Sequence, residues 1–388
     1  MPHDQERTAT GWFRAHLLDE LLPRWLDAAV TPEGLYLPRL DRQWRRTGGN
    51  HGTLVSQSRL LFNFACGYRA SGDARYAEAA AGGASLLLEH FRDRRHGGFF
   101  WSCALDGAVR DDHKSTYGHA FALLALASAF GALGDRALVD AAAETWGVVR
   151  RRFAEAGGGW LAGARRDFGS FEDMRSQNPV MHLFEALLAL AEHTGAREWL
   201  DEAGAVARFV TARLIGEPGR PLPEVYSAAW EPLPADRGGR VDLGHQVEWA
   251  WLLSRAVELG LDASLLPWGE ALLDWGLRVG IDPVQGGLNP TATPEGVVSA
   301  RTKGWWQQCE AARAMLHWEA VRGRGDVRPT FEATMRLVRE RFLDSVHGGW
   351  YMHVGPDGAV RNTDKGTDWK LDYHVTGLCM EAMRLAGA

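Results

Sequence analysis

Six stretches of the chain are apolar nearly all the way round a helix: SRLLFNFACGYRA, YGHAFALLALASAF, VMHLFEALLALAEH, HQVEWAWLLSRAV, QQCEAARAMLHWEA and YHVTGLCMEAMRLA. A helix without a polar face has to be buried. Each of the first five is followed by a stretch with one polar face, such as ARYAEAAAGGASLLLEHF, which suits an outer helix lying over it. The N-terminal GWFRAHLLDELLPRW supplies the outer partner that the sixth lacks. Ahead of the buried helices run short Gly- and aromatic-rich stretches starting at Glu33, Gly97, Gly158, Pro223, Gly286 and Gly348, separated by 64, 61, 65, 63 and 62 residues. Several lead into a DGAVR or PEG turn, which predicts a β-hairpin with glycine at the left-handed position. The second and sixth copies, HGGFFWSCALDGAVR from His96 and HGGWYMHVGPDGAVR from His347, are almost the same segment. A repeat of this kind buries its faces against its neighbours. The count predicts an all-α, single-domain (α/α)6 barrel over residues 1–388, two concentric rings of six helices with short β-hairpins around one mouth.

Registering the six buried helices on their apolar runs isolates the residues that do not belong in a core. One column reads Arg59, Gly118, His182, His245, Gln307 and His374; three residues later stand Phe62, Phe121, Glu185, Glu248, Glu310 and Gly377. Burying an unpaired polar group costs roughly 2–7 kcal/mol, so polar residues at one level of a repeat predict a cavity. Histidine titrates near neutrality and suits proton transfer. The three histidines come from different walls of a wide barrel, too far apart for bonds of ~2 Å to one ion, so no metal is expected.

Composition narrows the field further. The chain is 388 residues long, 46% hydrophobic and 24% charged, with a formal net charge of −6. Mild acidity without a basic patch argues against nucleic acid. The charged N-terminus has no signal-peptide core, and the most apolar run, from Ala120, is short for a bilayer; no membrane partner is expected. Cys66, Cys103, Cys309 and Cys379 are scattered without metal spacing and read as reduced core thiols of a cytoplasmic protein. The 17 Trp suit a sugar-binding cleft as well as a core. Neither a GxGxxG nor a GxxxxGK[ST] motif is present, and no cofactor is expected.

RSQNPVMHLFEALLAL, LGHQVEWAWLL, KGWWQQCEAARAML and WKLDYHVTGLCMEAM resemble the signature segments of the N-acylglucosamine 2-epimerase superfamily. The resemblance runs from about Gln57 to Leu385. It implies a cofactor-independent sugar epimerase or aldose–ketose isomerase, monomeric or homodimeric, with a small-molecule sugar as its partner. By position it makes His245 and His374 the general acid/base pair, His182 an aid to ring opening, and Arg59 the stabiliser of an enediolate. Glu248, one turn after His245, would orient that imidazole. Tyr117, Asn178, Trp305, Glu310 and Trp369 would contact the sugar. Lys303 and Lys370 read as rim charges, and Asp372 beside the site favours a neutral hexose of the mannose, glucose or fructose type. The rival from the same barrel is a glycoside hydrolase using a carboxylate pair, either Glu248 with Glu310 or Asp111 with Asp112. A sugar-binding module without catalysis explains the tryptophans but not the histidines.

Overall fold

The computed structural model describes residues 11–169 and 175–387. It is predominantly helical. The buried helices are α2 (Leu54–Ser71), α4 (Thr116–Leu133), α6 (Gln177–Thr194), α8 (Leu243–Glu258), α10 (Trp305–Arg322) and α12 (Tyr373–Leu385). The helices covering them are α1 (Leu22–Ala29, continuing a π-helical turn at His16–Leu21), α3 (Ala74–Leu86), α5 (Arg136–Arg152), α7 (Arg197–Phe209), α9 (Leu266–Gly280) and α11 (Arg328–Leu337). Each buried helix packs on the next, and α12 packs back on α2. The apolar run from Ala120 belongs to an 18-residue helix, longer than the sequence suggested; 72% of it is buried inside the protein, which accounts for its composition.

Local chemistry sets the helix ends. Thr53 and Ser56 form a reciprocal capping box on α2, and the side chains of Ser115, Ser176 and Asp242 accept backbone N–H groups at the starts of α4, α6 and α8. Four buried helices stop at a left-handed glycine: Gly72, Gly134, Gly195 and Gly323.

The short strands repeat one connection. The strand leading into each buried helix pairs antiparallel with the hairpin of the next unit: His51–Thr53 with Ser102–Ala104, Lys114–Ser115 with Gly163–Ala164, and Arg175–Ser176 with Val225–Tyr226. Val241–Asp242 pairs with Thr291–Ala292 and Lys303–Gly304 with His353–Val354. The sixth connection is a single bridge, Leu40 to Gly366, between the first hairpin and the approach to α12. Units two, five and six complete a hairpin with a second strand.

The doubled HGG segments are turns tied down by a buried acid. Asp93 accepts the backbone N–H groups of Arg95 and His96 and faces Lys114 at 3.0 Å. Asp344 does the same with Val346, His347 and Lys365, again at 3.0 Å. Asp282 faces Lys303 at 2.7 Å, and Glu155 faces Arg175 at 2.8 Å. The glycines are required: Gly98 sits at φ +69°, and a Cβ there would lie 2.4 Å from His119 Nε2. Lys303 and Lys370 are therefore not rim charges. Both are wholly buried, Lys303 against Asp282 and Lys370 against Asp372, because each ammonium has a carboxylate waiting in the interior.

These clamps carry a stability prediction. Asp344→Asn leaves the Lys365 ammonium buried without its counter-ion and is expected to cost about 3–5 kcal/mol in urea unfolding. Arg197→Ala breaks only the exposed pair with Asp201 and should change stability by less than about 1 kcal/mol. The cations Arg42 and Lys365 hold the Asp344 carboxyl below its usual range against the opposing effect of burial. Its contribution is then complete above pH ~4 and drains away as the pH falls further.

Candidate active site

The first turns of the buried helices, with three adjoining loops, line a cleft of about 270 Å³. Arg59, Tyr117, Asn178, His182, His245, Trp305 and His374 come from the helices and Trp369 from the segment before α12. The sequence thus brought eight of its ten site residues to one place. Four further lining residues were missed: Glu224, Arg240, Asp242 and Trp306.

All three histidines are held in the same way. His245 Nδ1 lies 2.8 Å from Glu224 Oε2, His374 Nδ1 lies 2.7 Å from Glu310 Oε1, and His182 Nδ1 lies 3.0 Å from Glu185 Oε2. With Nδ1 committed to a carboxylate, Nε2 is the nitrogen left for the cleft. The carboxylates are fixed in turn. Gln177 donates to Glu224 and accepts from Trp249 Nε1, while the Tyr373 hydroxyl donates to Glu185. Trp306 stands between the two outer imidazoles, its ring centroid 5.0 Å from His245 and 5.3 Å from His374.

Two assignments are corrected by this geometry. Glu248 does not orient His245. The imidazole turns its Nδ1 to Glu224 in the preceding loop, and neither Glu248 oxygen has a hydrogen-bond partner among the described residues. Glu310 does not line the cleft; it is fully buried behind His374 and positions that ring. Asp372 is likewise sequestered, accepting from Trp25 Nε1 and Lys370, so its charge is not presented to a ligand.

Electrostatics separates the histidines. Burial disfavours a cation at His245, but the Glu224 and Asp242 carboxylates outweigh it and raise the imidazole to about 10. At His374, burial together with the nearby Arg59 and His182 pushes the imidazole well below its ordinary value. His182 is also lowered, by burial above all. Glu248, buried beside Glu310 and Glu185, is raised well above the carboxylate range. Arg59 donates to the Tyr117 hydroxyl and to the Trp369 carbonyl, each at 2.7 Å, and lies 4.3 Å from the Phe121 ring centre. It presents a fixed positive charge at the cleft floor. Trp305 is buried at the edge of the cleft, while Trp369 is half exposed beside Tyr117 and Trp101.

Among the described residues, two groups have the donor types and proximity for a metal: His182, Glu185 and Glu248, and Glu248, Glu310 and His374, the donor atoms within 4.8 Å of one another in each. In both, the histidine ring is already held through Nδ1 by a carboxylate of the same group, and Glu248 is the shared member. Neither group contains more than one of the three histidines.

The model of the N-acylglucosamine 2-epimerase (GlcNAc 2-epimerase) family matches residues 34–378. The chain is 26% identical to the D-mannose isomerase of Marinomonas mediterranea over 96% of both proteins, and 30% identical to the mannose-6-phosphate isomerase of Rhizobium meliloti over 96% of this chain and 95% of that one. The solved cellobiose 2-epimerase of Spirochaeta thermophila superposes with a TM-score of 0.90 at 26% identity, covering 99% and 98% of the two chains. A family 76 α-mannanase from Bacteroides thetaiotaomicron matches at 0.68 and 12% identity, a likeness of fold alone.

The opposed charge states can be read directly. In an NMR titration the His245 ring should stay cationic until the pH approaches about 10. In Glu224→Gln its midpoint should fall toward the ordinary imidazole value of about 6.5, because the first counter-charge is gone. An unchanged midpoint in that variant would remove Glu224 as the cause.

Proposed function

The chain belongs to the N-acylglucosamine 2-epimerase family and is an isomerase, and from that premise we propose that it moves a proton at C2 of a free hexose without a cofactor, as an aldose 2-epimerase or aldose–ketose isomerase. The observation that carries this reading is the pair His245 and His374, tethered alike through Nδ1, driven to opposite charge states, and facing one indole ring. Groups with pKa values pushed apart are the natural acid and base of one reaction. The twelve helices are read as one (α/α)6 barrel, supported by the closed circuit of helix contacts and strand bridges.

His374, neutral with its Nδ1–H donated to Glu310, has a free Nε2 pair and takes the C2 proton of the open-chain aldose. His245, cationic on Glu224, donates a proton. The electrons of the broken C–H bond pass into an enediolate, and Arg59 stabilises the charge on its oxygens. A proton returned to the other face of C2 gives the epimer; one delivered to C1, with the O2 proton passing to O1, gives the ketose. His182 beside Tyr117 serves ring opening, and the exposed face of Trp369 stacks on the sugar.

The hydrolase alternative loses its carboxylates. Glu248 and Glu310 lie outside the cleft lining, and Asp111 and Asp112 are exposed on an outer hairpin. A second substrate class has one observation in its favour. The Arg240 side chain is exposed at the cleft near Glu224, without an ion pair or side-chain hydrogen bond among the described residues, and one relative is named for a hexose 6-phosphate. With Asp372 sequestered, a neutral sugar stays the first choice on the relatives named D-mannose isomerase and cellobiose 2-epimerase; Arg240→Ala should raise KM for mannose 6-phosphate and leave mannose unaffected if the phosphate class is right.

His245→Ala and His374→Ala should each lower turnover of mannose by about 10²–10⁴-fold, with the double variant little worse because both groups serve one path. His182→Ala should be milder on fructose, a fraction of which is already open-chain. Exhaustive EDTA treatment should leave the rate intact. NMR in D₂O, scoring label at C2 or C1, follows all of these, and near-wild-type turnover in either single variant would sink the assignment.

A further inference from the structure

Asp242 starts α8, and its carboxylate does more than that position requires. Its Oδ1 accepts the backbone N–H groups of Gly244 and His245, at 2.9 and 3.4 Å. Three other buried helices carry a hydroxyl in the same place, Thr53, Ser115 and Ser176, and α10 begins after Gly304 with no side-chain cap. Serine caps a helix about as well as aspartate. The charge and the second oxygen of Asp242 are therefore not needed to start the helix.

They are also unfavourable where they stand. Burial raises the carboxyl to about 6, and Glu224 adds to the effect, although His245 and two backbone N–H groups favour the charged form. A serine would keep the helix start and avoid that penalty. Asp372, at the start of α12, carries a carboxylate too, but Trp25 and Lys370 satisfy it away from the cleft. Asp242 is placed differently. It lines the cleft, and its Oδ2 has no hydrogen-bond partner among the described residues and is not sealed from solvent. Glu224, which also lines the cleft, shares this condition. Its Oε2 takes His245 and Gln177, while Oε1 has no hydrogen-bond partner among the described residues and is likewise open. Two acceptors without donors thus stand on the wall that carries His245. A polyhydroxy ligand brings donors, and a hydrogen bond to an ionised acceptor is roughly twice as strong as a neutral one.

We propose that Asp242 is a specificity-determining sugar contact, whose Oδ2, with Glu224 Oε1 on the same wall, accepts hydroxyl groups of an uncharged sugar. The inference rests on the free-hexose reading given above and adds to it the residue that recognises the hydroxyls. It also gives the cleft a reason to prefer a polyol surface over an anionic one, since a carboxylate binds hydroxyl donors and repels a second carboxylate.

The test separates this contact from the cap. Asp242→Ser keeps a capping oxygen and removes the other; Asp242→Asn keeps the shape, removes the charge, and stands in if the serine variant does not fold. Folding is checked by circular dichroism and thermal melting. KM for mannose should rise about tenfold or more in both variants, the loss expected for one charge-assisted hydrogen bond. Inhibition by mannonate, which carries a carboxylate on the same carbon skeleton, should not weaken in step, because the repelling charge has gone as well. A wild-type KM in a folded variant overturns the proposal, whatever happens to kcat, since a cap or a counter-charge for His245 leaves sugar binding as it was. Equal weakening of mannose and mannonate overturns it too, as the mark of a distorted cleft. Both results leave the isomerase reading in place, whereas a wild-type protein that turns over no free hexose removes that reading itself.

Discussion

A carboxylate taken out of water must meet a cation or a hydrogen-bond donor, and the mouth of this protein is built by obeying that constraint many times over. Asp93, Asp282 and Asp344 each answer a lysine with no exposed surface, and Glu155 answers Arg175. Desolvation makes such pairs costly to form and more costly to break. What they give is position. The acid pins a glycine turn, its cation lies on or beside the strand or bridge entering a buried helix, and that helix carries a cleft residue within its first turns. The same rule then orients the chemistry, since Glu224, Glu185 and Glu310 hold the three imidazoles. Glu248 is an exception, a buried carboxyl with no hydrogen-bond partner among the described residues, and it is pushed toward the neutral form by burial and by its two acidic neighbours.

The repeat made much of this legible. Period and apolar pattern specified twelve helices, their alternation and the end at which the hairpins collect, because burial on all sides leaves a signature that needs no partner to be read. The histidine column was visible for the same reason: polar residues at one register of buried helices stand out. Partners were harder. His182 and Glu185 pair at a separation of three, whereas His245 and Glu248, at the same spacing on a neighbouring helix, do not. The partner of His374 comes from another helix 64 residues earlier. Side-chain direction around a helix, and not spacing alone, decides such pairs. One signal was present and unread. Lys114, Lys303 and Lys365 each follow their acid by 21 residues, and His245 follows Glu224 by the same interval.

Where the repeat is broken, the cleft gains its chemistry. Units two, three, five and six place a basic residue in or just before the entry strand and clamp it. Unit four has Val241 in that strand and no such clamp, and Glu224, next to the hairpin strand Val225–Tyr226, turns to His245 while Arg240 lines the cleft. A carboxylate there charges an imidazole and does not clamp an entry strand. Likewise the column that holds histidine in three units holds Arg59 in the first, where it bonds Tyr117. Divergence of copies under a shared frame lets one residue change its task without disturbing the others.

The two ends of the fold are joined by contacts that span nearly the whole chain. Trp25 reaches Asp372, His16 meets Trp350, and Leu40 bridges Gly366. During synthesis at ~5–20 residues per second, the first covering helix has to wait tens of seconds for the partners that bury it. Until then the nascent chain is an open arc with two unsatisfied edges, and an arc that closes on another copy instead of on itself would give a domain-swapped dimer. His374 arrives on the helix that completes the closure. A half-made chain therefore has neither its last wall nor His374, and the appearance of activity on the ribosome would time the moment at which the circuit of helices shuts.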